Sequence, residues 1–199
     1  MIGPEQLAAG QRAETAGDYV AAAAAYTAVT AVADESLAVQ AHFCLGRVSW
    51  RQGRFDAALK SFENARAIAA RSGDVEFCAR VDNGIGAVHY ARGDYTSARQ
   101  AYDAALTRTH DEAMRGKVIL NPGVIENIQG NFEAARDHYE RAYQLFASSG
   151  DTDTAMLALH NRGMVEADLA RWDDADLGSL KGVGGSAFEV VHMGTIVHD

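Results

Sequence analysis

Small and apolar residues recur along this chain at helical spacings, and one arrangement of them occurs in four full copies and one partial copy. Between Gly86 and Ala105, glycine, aromatic and alanine positions follow one another at intervals of seven, two, three, four and three residues. Three other stretches keep this order, with Val29 in the last place of the first: Gly10, Gly17, Tyr19, Ala22, Tyr26 and Val29; Gly46, Gly53, Phe55, Ala58, Phe62 and Ala65; Gly123, Gly130, Phe132, Ala135, Tyr139 and Ala142. A fifth copy begins with Gly163, Ala170, Trp172 and Ala175 and then stops. Such self-similarity predicts a stacked repeat architecture.

Each repeat predicts two helices and two short connections. The leading glycines, Gly10, Gly46, Gly86, Gly123 and Gly163, are 36, 40, 37 and 40 residues apart. The second glycine of each copy can end a helix in the left-handed conformation, and an Asp or Asn after it can cap the next helix. The predicted helices are 4–16, 18–32, 36–52, 55–71, 75–92, 95–109, 112–129, 132–148 and 152–170, with Trp172 opening a further one.

The glycine and alanine residues at the repeated positions predict close approach between the two helices of a repeat. Tyr95 and Tyr102 lie two turns apart on one helix face and are predicted to fill the space beside the next repeat. No repeat can bury its apolar face alone, so stacking forms the core.

This pattern resembles the tetratricopeptide repeat family over residues 4–176. The family ends its first helix with a leucine-glycine pair, which is kept here as Leu45-Gly46 and as Ile85-Gly86. The resemblance implies an all-α fold, a right-handed superhelical solenoid of antiparallel helix pairs, with about four and a half repeats. The long periods and the Ser-Gly-Asp connectors at 72–74 and 149–151 suggest the longer-repeat branch found in bacterial regulators and kinesin light chains.

Two places depart from the pattern. Pro122 stands inside a predicted helix, where it removes a backbone hydrogen bond and predicts a kink. After Asp176 the chain becomes glycine-rich, and residues 177–199 are expected to form a flexible tail or a weak hairpin around His192-Met193-Gly194.

Composition narrows the classes of function. The 199 residues are 48% hydrophobic with a formal net charge of −9, which argues against nucleic-acid binding by the fold as a whole. The sequence has no apolar run of membrane-spanning length and no secretory signal in residues 1–20, so we expect no membrane association. Cys44 and Cys78 are expected to be buried thiols, and the predicted location is cytoplasmic.

The remaining residues contain no motif typical of a catalytic, phosphate-binding or metal-binding site. The Gly182–Ser186 stretch lacks the context of a phosphate-binding loop, and His192 and His198 lack a third ligand with zinc-type spacing. We therefore expect no catalytic residues, no metal and no cofactor, and the protein is predicted not to be an enzyme.

The first helices of the repeats carry the candidate site. Phe43, Arg47, Trp50 and Arg51 fall at i, i+4, i+7 and i+8, one stripe of a helix, and the resemblance implies that this stripe lines a concave groove that binds peptides. We call it the inner stripe; its predicted members are Phe43, Arg47, Trp50, Arg51, Arg80, Asn83, Tyr90, Lys117 and Asn127. Its cations and rings predict an acidic peptide or helix with apolar anchors, and its asparagines could hold the peptide backbone. The alternative is that the aromatic residues pack between repeats and the arginines form a solvated face.

Three functions remain open at this point. The first is a non-catalytic protein–protein interaction scaffold that binds a peptide or helical segment in its groove. The second is the peptide-sensing domain of a bacterial transcription or signalling regulator, and the third is an accessory domain of a larger enzyme.

Overall fold

The predicted all-α repeat fold is confirmed in a computed structural model, which describes residues 2–31 and 34–176. The described residues form nine helices: α1 Ile2–Thr15, α2 Tyr19–Thr30, α3 Glu35–Arg51, α4 Phe55–Ser72, α5 Val75–Ala91, α6 Tyr95–Arg108, α7 Glu112–Ile128, α8 Phe132–Ser149 and α9 Thr152–Asp176. They make four helix pairs and a ninth helix, in agreement with about four and a half repeats. The tail prediction for 177–199 lies outside the described residues.

The helix ends follow the local chemistry read from the sequence. Gly53 has a φ of 71° and Gly73 a φ of 74°, a conformation that residues with a Cβ adopt only with strain. Asp18 and Asp34 accept hydrogen bonds from the first turns of α2 and α3. Asn131 differs, because its side chain caps no backbone N–H and donates instead to Glu126.

The repeated glycine and aromatic positions meet inside each helix pair. A Cβ added to Gly123 would lie 2.9 Å from the Tyr139 ring of α8, closer than real Cβ atoms approach. Tyr102 packs in the same way on Gly86 of its own pair, which corrects the prediction that it fills space beside the next repeat. Each leading glycine of the first four repeats therefore forms a notch for the second aromatic of the same repeat.

Phe62 also reaches the neighbouring repeat. Its ring would be 2.8 Å from a Cβ at Gly46 and 2.9 Å from one at Gly84. The ring is thus held between α3 and α5, and Phe62 is fully buried.

The contacts of the chain group into two compact units. Unit one is Met1–Arg108 and contains α1 to α6, whereas unit two is Thr109–Asp199 and contains α7 to α9. In unit one each helix packs on the next, and in unit two α8 packs on both α7 and α9. Within each unit, short connections make consecutive helices antiparallel.

A buried ionic cluster joins three helices of unit one. Asp82 of α5 is 1% exposed, and its carboxylate accepts hydrogen bonds from Arg66 of α4 and Arg108 of α6. Cys78 is buried one helical turn away, and burial raises the pKa of its thiol. The sequence pattern alone did not single out this cluster.

Helix α7 continues through Pro122. The helix runs from Glu112 to Ile128 with Pro122 buried inside it. The proline cannot donate to the carbonyl of Val118, so one hydrogen bond is missing from an otherwise complete helix.

The prediction for the fifth repeat was wrong at its second helix. Helix α9 does not end at 170 but extends to Asp176, so Trp172 lies within it. The other repeats end their first helix with glycines at positive φ, such as Gly93 and Gly130, whereas this one has Ala170 in that place. Without the glycine the helix lacks a residue that adopts the left-handed C-cap conformation without strain, and so it continues.

Candidate functional site

The aromatic members of the inner stripe in α3 are largely inside the protein. Phe43 and Trp50 are each 5% exposed. The Phe43 ring lies 5.6 Å from Phe62 and 5.5 Å from Phe77 between ring centroids. Phe43 is therefore a core residue that packs beneath the exposed side chains of the stripe, against Phe62 and Phe77.

Arg47 is bound by a carboxylate of the same chain. Its Nε donates to Glu14 Oε1 at 2.7 Å and a terminal nitrogen donates to Glu14 Oε2 at 2.8 Å, a two-point pair between α3 and α1. Tyr26 also donates its hydroxyl to Glu14, at 2.9 Å, and Arg51 Nε lies 3.9 Å from the same carboxylate. Burial by itself lowers the pKa of Arg47, but the bond to Glu14 raises it overall.

Glu14 changes the interpretation of the clustered arginines. The sequence assigned the cations of the inner stripe to an acidic ligand, yet folding brings Glu14 of the same chain to both Arg47 and Arg51. Glu14 stands 36 residues before Trp50, the same interval that separates Gly10 from Gly46. Extending the stripe back by one repeat would have found it.

Arg80 is held by aromatic rings and not by a carboxylate. Its guanidinium carbon lies 5.3 Å from the centroid of Phe43 and 5.3 Å from that of Phe77. The side chain is partly buried, and within residues 2–31 and 34–176 no acidic side chain pairs with it. Arg80 is thus an oriented cation whose charge has no partner of opposite sign in this part of the chain.

Asn83 and Tyr90 take different positions on α5. Asn83 is 5% exposed and lies in a run of buried residues, 81–88. Tyr90 is partly buried, its ring centroid lies 5.9 Å from that of Tyr95, and burial raises the pKa of its hydroxyl. Tyr90 keeps an accessible edge, whereas Asn83 serves the interior.

Two buried side chains of the stripe lack hydrogen-bond partners in the described residues. Trp50 Nε1 in unit one is one such atom, and both amide atoms of Asn127 on α7 of unit two are others. Asn127 is 5% exposed, and Lys117 on the same helix is partly buried. Buried polar atoms are usually hydrogen-bonded, so each exception marks a place where a partner is missing.

The described residues contain neither a group of three metal-ligating side chains nor a helix long and apolar enough to span a bilayer.

Helix pairs with glycine turns and buried ring-on-glycine contacts define a helical-repeat protein. Residues 37–109 match the family model described as tetratricopeptide repeat, so this segment carries tetratricopeptide repeats, as the sequence predicted. That family is generally non-catalytic and mediates protein–protein interactions.

Two solved structures share the fold. The crystal structure of BtubC (BKLC) from P. vanneervenii aligns with a TM-score of 0.58 at 21% identity, covering 89% of this chain and 82% of that one. The crystal structure of MamA protein aligns with a TM-score of 0.54 at 18% identity, covering 92% and 98%. A comparison with curated proteins gives no match.

Proposed function

We propose that this protein is a non-catalytic interaction scaffold that binds an extended peptide or a helical segment of another protein along the inner stripe. The observation that carries the proposal is the buried, unpartnered Nε1 of Trp50 in unit one. An unsatisfied buried polar atom costs free energy in the unbound protein, and a ligand that supplies its partner recovers that cost.

The preferred ligand is acidic with an apolar anchor. In unit one Arg80 is a cation fixed over two rings, and an arginine can bind a carboxylate through two parallel hydrogen bonds. Arg47 contributes less than the sequence suggested, because Glu14 already holds it. The chemistry of unit one therefore centres on Trp50, Arg80 and Tyr90.

The test begins with the identity of the partner. Affinity capture with the wild-type chain, and with the Trp50→Ala and Arg80→Glu variants in parallel, should retain one protein on the wild type alone. A peptide from that protein is then titrated by calorimetry. Interface energies concentrate in tryptophan and arginine, so Trp50→Ala should cost about 2 kcal/mol of binding.

A charge-matched control separates the stripe from general electrostatics. Arg54 lies exposed at the start of α4, so Arg54→Glu makes the same change in net charge away from the stripe. Arg80→Glu should slow association more than Arg54→Glu, and the difference should shrink at high salt. Equal effects of the two reversals, or binding that survives Trp50→Ala, would rule out the inner stripe as the binding surface.

A further inference from the structure

Helix α9 has one buried and one open face. Its buried stripe of Ala155, Ala158, Asn161 and Val165 lies within unit two, where α9 packs against α8. A second stripe, Met156, His160, Gly163 and Ala167, is exposed, and Met156 is 62% exposed. We call these four residues the α9 open face.

The equivalent face is covered in the preceding repeat. Forty residues earlier, the same positions of α7 are Gly116, Leu120, Gly123 and Asn127, and all four are buried. Two rings of α8 cover the glycines: a Cβ at Gly116 would lie 2.8 Å from Phe146, and one at Gly123 would lie 2.9 Å from Tyr139.

Gly163 is the exception among the five leading glycines. Aromatic rings fill the notches at the four others, Gly10, Gly46, Gly86 and Gly123. At Gly163 no atom of the described residues lies within 4 Å of an added Cβ. A helix interior also disfavours glycine by about 1 kcal/mol relative to alanine, so the open notch is retained at a cost in helix stability.

We propose that the α9 open face docks an amphipathic helix of a partner protein, which places an aromatic ring against Gly163 as the second helix of the fifth repeat. The chemistry of the occupant follows from the four filled notches: an aromatic residue with an alanine four residues before it and another three residues after it, or valine as in the first repeat. The docked helix packs on α9 in the way that α8 packs on α7, and so it extends the existing helix packing of unit two by one helix. This surface shares no residue with the inner stripe and goes beyond the proposed function.

The probe is a synthetic peptide with the sequence of residues 130–149, labelled with a fluorophore, titrated into the full chain and followed by anisotropy. This peptide contains Tyr139 and Phe146, the two rings that cover α7. We expect saturable binding, at least tenfold weaker when the peptide carries Tyr139→Ala.

The decisive variant is Gly163→Ala. A methyl group at the other notches would meet the ring, so this variant should weaken the probe at least tenfold. Because alanine favours the helix, the melting temperature should stay unchanged or rise, which separates lost binding from lost folding. Absence of binding, or binding equal in both proteins, would overturn the proposal.

Two further readouts identify the occupant. A photo-crosslinker at Met156 should attach the probe peptide; attachment within the chain or to a second copy, in the absence of probe, would show that this protein covers the face itself and would overturn the proposal. Trp50→Ala should leave probe binding unchanged. A result that contradicts the proposal for the α9 open face is thereby distinguishable from one that contradicts the proposal for the inner stripe.

Discussion

Removing both arginines that hold Asp82 should destabilise unit one more than removing the charge of Asp82 itself. The three side chains form one cluster, but their exposures differ. The Asp82 side chain is 1% exposed, whereas Arg66 is 45% exposed and Arg108 is 41% exposed. The buried Asp82 carboxylate therefore depends on the two arginines for hydrogen bonds and charge compensation, whereas each guanidinium can be solvated by water when the ion pair is lost.

The expected magnitudes follow from that asymmetry. In the double variant Arg66→Met/Arg108→Met, which keeps most of each aliphatic stem, a buried carboxylate loses both counterions at a cost of about 3–5 kcal/mol. In Asp82→Asn the two arginines lose an ion pair that solvent already screens, worth roughly 0–1 kcal/mol each. The expected order is thus a loss of about 0–2 kcal/mol for Asp82→Asn and about 3–5 kcal/mol for the double variant.

Urea unfolding followed by circular dichroism measures these differences, with equal transition slopes as the condition for comparing midpoints. The triple variant supplies the internal check, because replacing Asp82 with Asn after both arginines are gone removes the unpaired buried charge. It should be more stable than the double variant. If the triple variant is no more stable, or if Asp82→Asn alone costs as much as the double variant, the buried carboxylate is not the source of the loss.

Three further outcomes are expected. Gly46→Ala should lower the melting temperature, since the Phe62 ring has no room to move away from the new methyl group and overpacking costs about 1–3 kcal/mol; a rise would show that the ring can shift. Pro122→Leu should raise the melting temperature by restoring a helical hydrogen bond, and a fall would mean that the buried surroundings are shaped to the proline ring. The hydrogen bond from Ser97 is the main cause that lowers the pKa of Asp94 in the folded protein. Asp94 therefore stabilises the start of α6 fully above the pKa of the unfolded carboxyl, and this effect is lost as pH falls through the lower folded pKa. An NMR titration of the Asp94 carboxyl that gives an ordinary pKa would contradict this.

Local signals predicted the helices well, because the residues that end and start a helix act on backbone within a few residues of themselves. Gly53 and Gly73 supply positive φ, and Asp34 caps the helix that follows it, so these boundaries could be placed within a residue or two. The same reasoning failed at α9, where Ala170 replaces the glycine that the spacing anticipated. A repeat position predicts a turn only when the residue there can adopt it.

Charge pairing could not be predicted in the same way, since it depends on which side chains the stacked helices bring together. Glu14 and Arg47 are 33 residues apart in sequence, and Asp82 meets arginines from the helices on either side of it. Periodicity identified the face on which Arg47, Arg51 and Arg80 lie. It did not distinguish the cation that is neutralised within the chain from the one that is held over aromatic rings.

The repeat position occupied by Glu14 connects these observations to binding. The intervals that relate the leading glycines place Trp50, Tyr90 and Asn127 at the same position in the next three repeats. In the first repeat the side chain is satisfied by Arg47 and Tyr26 of its own chain, whereas Trp50 and Asn127 keep buried polar atoms without a partner among the described residues. A ligand that followed this position along unit one would compete with an ion pair at Glu14 but would gain a hydrogen bond at Trp50. Under the proposed function, binding in unit one is therefore expected to begin at the second repeat, with Glu14 and Arg47 serving to hold α1 against α3.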